Sequence, residues 1–482
     1  MMEQGYTFDD VLLVPKYSEV LPRDVSTETY LTQEIKLGVP IVSSAMDMVT
    51  EARLAICLAK HGGIGIIHRN MTPEAQALEI RKVKKYESWI VSDPVTVSPD
   101  DRLEKVSALK KQHGYSGLPV VDEKNRLIGI LTNRDVRFVE DSSRKVSELM
   151  TTKNLITVKE GISYDEARLL FHKHKIERLI VVDEEFRCVG LITVKDIANT
   201  NAHPNACKDS KSRLRVGAAV GVTGSFLERV DLLVRENVDV VVIDTAHAHT
   251  KIVGDAIKQI RGHFGNIQLI AGNIATAAAA EYLIKMGVDG VKVGIGPGSI
   301  CTTRVVTGIG VPQFTAILNV ASVCKKTGVK VIADGGIRYS GDIAKALAAG
   351  ADCVMIGSLF AGTDESPGEV VLYRGRSYKS YRGMGSVGAM STGSSDRYFQ
   401  NSSMKLVPEG VEGLVPLKGA LSETVYQLVG GVRSSMGYAG CKDVNEMKNN
   451  CSFIHITTAS NNEGHPHDIV ITQESPNYSK TH

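Results

Sequence analysis

The chain has no excess charge of one sign. Its 56 basic residues stand against 54 acidic ones, a formal +2. Composition therefore gives no drive toward nucleic acid or an anionic membrane, and no basic stripe supplies one locally. No run of about 18 apolar residues is present, the length that a spanning helix needs. The start, MMEQGYTFDD, lacks a charged segment followed by an apolar one, so a secretory signal is not expected. The eight cysteines (57, 188, 207, 301, 324, 353, 441 and 451) show neither CxxC pairs nor metal-ligand spacing. They read as the reduced thiols of a cytoplasmic protein. Aromatics are scarce, 5% of the chain with a single tryptophan, Trp89, expected to anchor a domain junction rather than line a site. What is abundant is apolar aliphatic sequence: 43% of 482 residues are hydrophobic. That length suits a barrel of about 250 residues carrying an insertion.

The insertion announces itself as a repeat. "DPVTV" at Asp93 is echoed by "NLITV" at Asn154, and "LPVVDEKNRLIGILTNRDV" from Leu118 by "RLIVVDEEFRCVGLITVKDI" from Arg178. Val120-Val121-Asp122 pairs with Val181-Val182-Asp183, and Gly129 with Gly190, at one offset of 61. An offset shared by several motifs marks a duplicated unit. Each copy reads helix, strand, charged turn, strand, then T-x-x-D (Thr132 to Asp135; Thr193 to Asp196). The pair resembles a tandem cystathionine-β-synthase-type (CBS) module, spanning 93–149 and 150–200. That resemblance implies binding of purine nucleotides such as ATP or GTP, with the T-x-x-D carboxylate reaching a ribose. The plainer alternative is a packing or assembly domain.

Outside the insert, in residues 1–92 and 201–482, apolar runs alternate with helical patterns. The runs are "VPIVSSAMD", "GGIGIIHR", "RVGAAVG", "VDVVVIDTAH", "IQLIAGNIAT", "VDGVKVGIG", "VKVIADGG" and "ADCVMIGS". Near-continuous Val/Ile runs are what parallel strands buried on both faces require. Thr276 opens the helix "AAAAEYLIKM", which Gly287 closes. Thr315 opens "AILNVASVCKK", followed by Gly328. Eight strand–helix alternations predict an α/β fold, a (β/α)8 TIM barrel with the CBS-like pair between its second and third units.

One stretch breaks the rhythm. From Val288 to the next strand start at Val329 is 41 residues, against 20 for the preceding unit (Gln268 to Val288) and 22 for the following one (Val329 to Ala351). The excess lies in "GVKVGIGPGSICTTRVVTGIGVPQ", Gly290 to Gln313, a glycine-rich loop holding Cys301 at the C-terminal end of a strand. Barrels of this kind keep their active sites at that end, and long loops in compact domains are usually functional. A structural cysteine prefers apolar packing, whereas a reactive one needs exposure and backbone N–H groups, so Cys301 reads as a nucleophile. Asp334 in "IADGG" and Gly357-Ser358 in "MIGS" end the seventh and eighth runs. Glycine turns there are the usual phosphate cradle of the fold, and Asp334 is placed for a ribose diol. Taken alone, Asp334 would be a helix N-cap.

"GPGSICTTR", "ADGGIRYSGDIAKALAAGAD", "YRGMGS" and "DRYFQ" resemble the IMP dehydrogenase family in its bacterial form. So do "TFDDVLLVP", "SSAMDMVTE" and "EGHPHDIVITQESPNY". The likeness runs over almost the whole chain. It implies oxidation of IMP to xanthosine 5′-monophosphate with NAD: Cys301 attacks C2 of the purine, hydride leaves, and the adduct is hydrolysed. A thiolate suits this because it is strongly nucleophilic even as a small fraction at neutral pH. By the same resemblance Ser299, Asp334, Gly335, Gly336, Gly357, Ser358, Tyr381, Arg382, Gly383, Met384, Gly385 and Glu409 hold IMP, with Ser44 and Met46 against it. Asp244 and the backbone of Gly294, Ile295 and Gly296 meet NAD. Carbonyls of Gly296, Gly298 and Cys301 hold K+, completed by Glu463, Gly464 and His465 of a neighbouring subunit in a homotetramer or octamer. Arg397 and Tyr398 ride a mobile flap, Arg397 activating water with Thr303 as an alternative relay. Residues 382–395, mostly Gly, Ser, Met and Thr, have the composition of such a flap. A guanidinium acting as a base needs an apolar, cation-crowded site, since its pKa normally exceeds about 12. Arg397 as a salt-bridge anchor is the alternative.

Other patterns carry less. "GMGSVG" from Gly383 fits G-x-G-x-x-G without the strand–helix context of a dinucleotide site. "HAH" at His247 and "HPH" at His465 lack third and fourth ligands for zinc. Two rival functions stay open. One is GMP reductase, which the CBS pair, the chain length and Arg397-Tyr398 argue against. The other is a non-catalytic nucleotide sensor, which Cys301, Asp334 and Arg397 together argue against.

Overall fold

The computed structural model describes residues 3–86, 91–92, 94–113, 117–159, 162, 164–194, 203–400 and 405–478. Trp89 and Asp196 lie outside the described residues, as do the repeat's expected limits, Asp93 and Thr200. The chain divides into two compact units: Met1–Lys84 with Asn205–Asp209 and Leu214–His482, and Lys85–Pro204 with Ser210–Arg213.

In the first unit eight parallel strands close into a barrel. They are β1 (Ile41–Ser43), β2 (Ile64–Ile67), β3 (Val216–Val220), β4 (Val240–Asp244), β5 (Gln268–Ile274), β6 (Gly290–Val293), β7 (Lys330–Asp334) and β8 (Cys353–Ile356). Neighbours pair in chain order and β8 closes on β1, which makes this a (β/α)8 barrel. Each strand falls in one of the eight apolar runs, because the runs are buried twice over. Val42, Ile64, Ile66, Val240, Val242, Ile270, Ile332 and Met355 fill the interior. The alternate residues, such as Val241, Ile243, Val291, Val331 and Val354, pack outward with the helices.

The helix Ala277–Lys285 starts where the cap motif puts it: Thr276 has extended backbone and its side chain accepts the Ala279 N–H at 3.3 Å. Thr315 does not cap. The helix after the long loop runs Gln313–Cys324 from Pro312, and the Thr315 hydroxyl instead accepts the Tyr6 N–H at 2.7 Å. Pro312, with no N–H of its own, is the earlier stop for the extended loop. The helix therefore begins two residues before Thr315.

The second unit is built twice. The helix Leu103–His113 and hairpin Gly117–Val121/Leu127–Thr132 recur as Tyr164–His174 and Arg178–Val182/Cys188–Thr193. Each half has its own apolar cluster, around Val120 and Leu131 and around Val181 and Ile192. Val121, Leu127, Ile180, Val182, Cys188 and Leu191 form a third that joins them. Asp135 serves locally: its carboxylate accepts the Thr132 N–H and hydroxyl, both at 2.6 Å, and the Thr151 hydroxyl at 3.1 Å. In this state it closes a capping box.

Thr276→Ala should cost about 1 kcal/mol, the usual value of a lost N-cap. Thr276→Ser should stay near wild type, both read by thermal unfolding of the full chain.

Candidate active site

The site grows from four consecutive strands, β4 to β7. Lys292 lies on β6 inside the barrel, 2% exposed. An ammonium so buried must spend all three N–H bonds on partners. Its Nζ lies 2.9 Å from Asp244 Oδ1 at the end of β4 and 2.8 Å from Asp334 Oδ2 at the end of β7, and also donates to Asn273 Oδ1 on β5. Asn273 Nδ2 in turn donates to Asp334 Oδ2 at 2.9 Å and to the Gly294 carbonyl at 2.7 Å. Asp244 uses its second oxygen to pair with Arg397 Nη1. Neither Lys292 nor Asn273 was expected from the sequence. The available signal was a charge and an amide embedded in strands buried on both faces.

Beyond β6 the long loop turns across the mouth. At Gly294 (φ +153) a Cβ would stand 2.1 Å from the Asp334 carbonyl oxygen, so only glycine lets the loop pass this close to β7. Arg304 ties the loop's ends, donating to the carbonyls of Ile295 at 3.1 Å and Val311 at 2.6 Å. Cys301 is half-buried on this loop. Its thiol lies 3.1 Å from Thr303 Oγ1, and that hydroxyl donates to Glu409 Oε2 at 2.8 Å. Backbone bonds Thr302 N–H to the Glu409 carbonyl (2.9 Å) and Val411 N–H to the Ile300 carbonyl (3.0 Å) hold the Glu409 segment against the loop.

The other seven cysteines are also free thiols, but burial pushes all of them up: Cys188 to about 11, Cys57, Cys207, Cys324 and Cys451 to about 12, with Cys353 and Cys441 raised as well. Among the cysteines, Cys301 alone lines the cavity.

That cavity, about 140 Å³, gathers most of the residues expected from the motifs. Ser44 and Met46 reach it from the end of β1, Asp244 from β4, and Gly294, Ile295, Gly296, Gly298, Ser299, Cys301 and Thr303 from the loop. Asp334, Gly335 and Gly336 follow β7, and Gly357 and Ser358 follow β8. Tyr381, Gly383, Met384, Gly385, Arg397, Tyr398 and Glu409 close the far side. Burial pushes the Tyr381 phenol up, with a Ser299 hydrogen bond acting the other way, so it remains a neutral hydroxyl at physiological pH.

One expected residue does not join, and three expected from a neighbouring subunit lie elsewhere in their own chain. The Arg382 guanidinium donates to Asp47 Oδ2 at 2.6 and 3.0 Å, and Arg382 does not line the cavity. Glu463, Gly464 and His465 are also absent from its wall in their own chain. His465 Nδ1 instead shares a hydrogen bond with the Tyr478 hydroxyl at 3.0 Å, its ring close to Tyr339.

Arg397 and Tyr398 are seated over the opening. Burial pushes the Arg397 guanidinium below its usual range, and nearby Arg69 adds to this, while Tyr398 opposes it. The Asp244 carboxylate, in contact, favours the charged form. The Tyr398 ring fits because residue 385 is glycine: a Cβ there would come within 2.7 Å of Tyr398 Cζ. Arg397 and Tyr398 thus form part of the cavity wall in this structure.

The sequence model described as IMP dehydrogenase / GMP reductase domain matches residues 5–467. The chain belongs to this family. It is 58% identical over 480 residues to the inosine-5′-monophosphate dehydrogenase of Aquifex aeolicus, covering 99% of this chain and 98% of that protein. To the inosine-5′-monophosphate dehydrogenase of Escherichia coli K12 it is 55% identical over 479 residues, with the same coverage. Among solved structures, a variant GMP reductase from Trypanosoma brucei in complex with guanosine 5′-monophosphate is similar, with TM-score 0.88 and 40% identity. That match covers 97% of this chain and 99% of the reductase. It corrects one expectation: a reductase of this full extent exists, so chain length and the inserted repeat do not separate the two activities of the family. Of the three expected separators, this match leaves Arg397-Tyr398 untouched.

Replacing Lys292 by methionine would strand two carboxylates at the barrel mouth. Lys292→Met should destabilise the family barrel by about 3–5 kcal/mol, the cost of breaking a buried ion pair from one side. Lys292→Met/Asp244→Asn should recover part of that loss, measured by denaturant unfolding.

Proposed function

We propose that the chain oxidises IMP to xanthosine 5′-monophosphate with NAD, the committed step of guanine nucleotide synthesis, through a covalent adduct on Cys301 that is then hydrolysed. The observation that carries this is the series Cys301–Thr303–Glu409, at 3.1 and 2.8 Å, on the wall of a cavity that also holds Asp334 and the glycine turns after β7 and β8. Identity of 55–58% to full-length inosine-5′-monophosphate dehydrogenases supports the same reading.

In this reading the glycine turns after β7 and β8 take the phosphate on their N–H groups. Asp334, held through Oδ2, offers its other oxygen to the ribose diol. Ser299, Tyr381, Gly383, Met384, Gly385, Ser44 and Met46 enclose the base. The thiol faces the Thr303 hydroxyl, which faces the Glu409 carboxylate, so a proton leaving sulfur has an acceptor two bonds away. Sulfur adds at C2 of the purine. NAD, when bound, supplies the hydride acceptor. Asp244 and the backbone at Gly294, Ile295 and Gly296 are the groups placed to meet it. Arg397 and Tyr398 then occupy the vacated space, and Arg397, with burial lowering its pKa, orients and activates the water that frees the product and returns a proton to sulfur.

A potassium ion would be held by the carbonyls of Gly296, Gly298 and Cys301, oxygen donors of the kind a hard cation takes. The Gly298 carbonyl accepts the Cys301 N–H at 3.1 Å and keeps a second lone pair. Glu463, Gly464 and His465 would come from a neighbouring subunit, which calls for a tetramer or octamer. The duplicated unit would take purine nucleotides such as ATP or GTP. No helix among the described residues is long and apolar enough to cross a membrane, and with eight free thiols the cytoplasm is the compartment proposed.

Mixing the protein with IMP, NAD and potassium should yield NADH beyond one equivalent per site. Consumption of NADPH on addition of GMP, without NADH from IMP, would select the reductase reading instead. Cys301→Ser should abolish turnover while IMP still binds. Arg397→Ala should release one equivalent of NADH and then stall.

A further inference from the structure

Asp396, the residue before Arg397, is gripped from the barrel. Arg69 follows β2 and donates Nη1 to Asp396 Oδ2 at 2.9 Å and Nη2 to Oδ1 at 2.7 Å. The Thr223 hydroxyl, beyond β3, adds a third hydrogen bond to Oδ2 at 3.2 Å. The Arg69 side chain is 10% exposed and the carboxylate 29%. This is therefore not an open surface pair of negligible worth but a partly shielded, two-point contact. A bidentate guanidinium–carboxylate pair fixes orientation as well as distance, which one lysine contact would not.

The grip has a direction. Asp396 is held from the β2–β3 side while its neighbour Arg397 reaches Asp244 at the end of β4, and the Arg397 carbonyl accepts the Ala246 N–H at 2.9 Å. The two adjacent side chains thus straddle the rim, one tied to each side. Arg69 itself does not line the cavity and has no contact to offer the purine or the adduct.

We infer that Arg69 is a positioning residue for the hydrolytic half of the reaction, holding Asp396 so that Arg397 is seated over the adduct. This rests on the role given to Arg397 above. Arg69 also adds to the push on the Arg397 guanidinium toward its neutral form, which a base at that position needs. Asp244, the carboxylate given to NAD in that reading, is the one that Arg397 pairs with here, so the seated flap and the dinucleotide compete for one group and the clamp serves the second half.

The test is rapid mixing of the full-length protein and of Arg69→Met and Asp396→Asn with IMP, NAD and potassium. In both variants the first equivalent of NADH should form within about twofold of the wild-type rate, while steady-state turnover falls about tenfold or more, as loss of a charge-assisted bidentate contact implies. The double variant should fall no further than either single one, because both remove the same contact. Amide hydrogen exchange across residues 390–400 of the ligand-free variants should quicken. A slowed first equivalent with a raised KM for NAD would mean that Arg69 serves the dinucleotide, and overturns the inference. So would unchanged turnover and exchange. If Arg69→Met does not fold, Asp396→Asn, on the flap, carries the same test. A wild-type protein that forms no NADH from IMP would instead overturn the proposed function.

Discussion

One buried ammonium organises the mouth of this barrel. Lys292 sits where desolvation of a lone cation would cost several kcal/mol, and the position is tenable only because Asp244 and Asp334 end their strands within hydrogen-bond reach. The converse holds for the two carboxylates, which share that ammonium as a counter-charge. Asn273, on the strand between Asp244 and Lys292, accepts the third ammonium bond on its amide oxygen. The outcome is a line of alternating charge, Arg397–Asp244–Lys292–Asp334, running from the flap to the turn after β7. Two cations and two anions balance while Arg397 is seated. In the proposed cycle, departure of Arg397 would take a counter-charge from Asp244 and leave that carboxylate to the dinucleotide.

Around that line the loop and the flap are shaped by what is missing from two residues. Without a side chain at 294 the cysteine loop passes against the β7 backbone, and without one at 385 the Tyr398 ring packs down over the opening. The thiol is thereby brought to Thr303 and Glu409, while the chain's other cysteines stay in packed surroundings that hold them protonated. The contrast between one cysteine on a glycine loop and seven in apolar packing is what makes Cys301 the proposed nucleophile.

Much of this was legible beforehand, for a physical reason. Strands buried on both faces must be apolar throughout, so the eight Val/Ile runs mark β1–β8 directly. The 61-residue offset survives as paired helices and hairpins because a duplicated sequence repeats its local preferences. The over-long unit before β7 marks the loop, and the loop marks Cys301. Less visible were features with two local solutions. Thr315 looks like a helix cap, yet Pro312 starts the helix first and leaves the hydroxyl to Tyr6. Arg382 sits among nucleotide-site motifs, yet Asp47, 335 positions away, takes its guanidinium.

The sequence by itself determined the barrel, the duplicated insert, the cysteine loop and the glycine turns, because each is written in residues near one another along the chain. Tertiary structure alone decided the pairings: Lys292 with Asp244 and Asp334, Arg69 with Asp396 across 327 residues, Thr303 with Glu409 across 106, and the tail's His465 with Tyr478 rather than with its own Cys301 loop. A charged side chain declares what it needs but not where its partner lies. Only closing the barrel brings distant strand ends within 3 Å and turns those needs into a site.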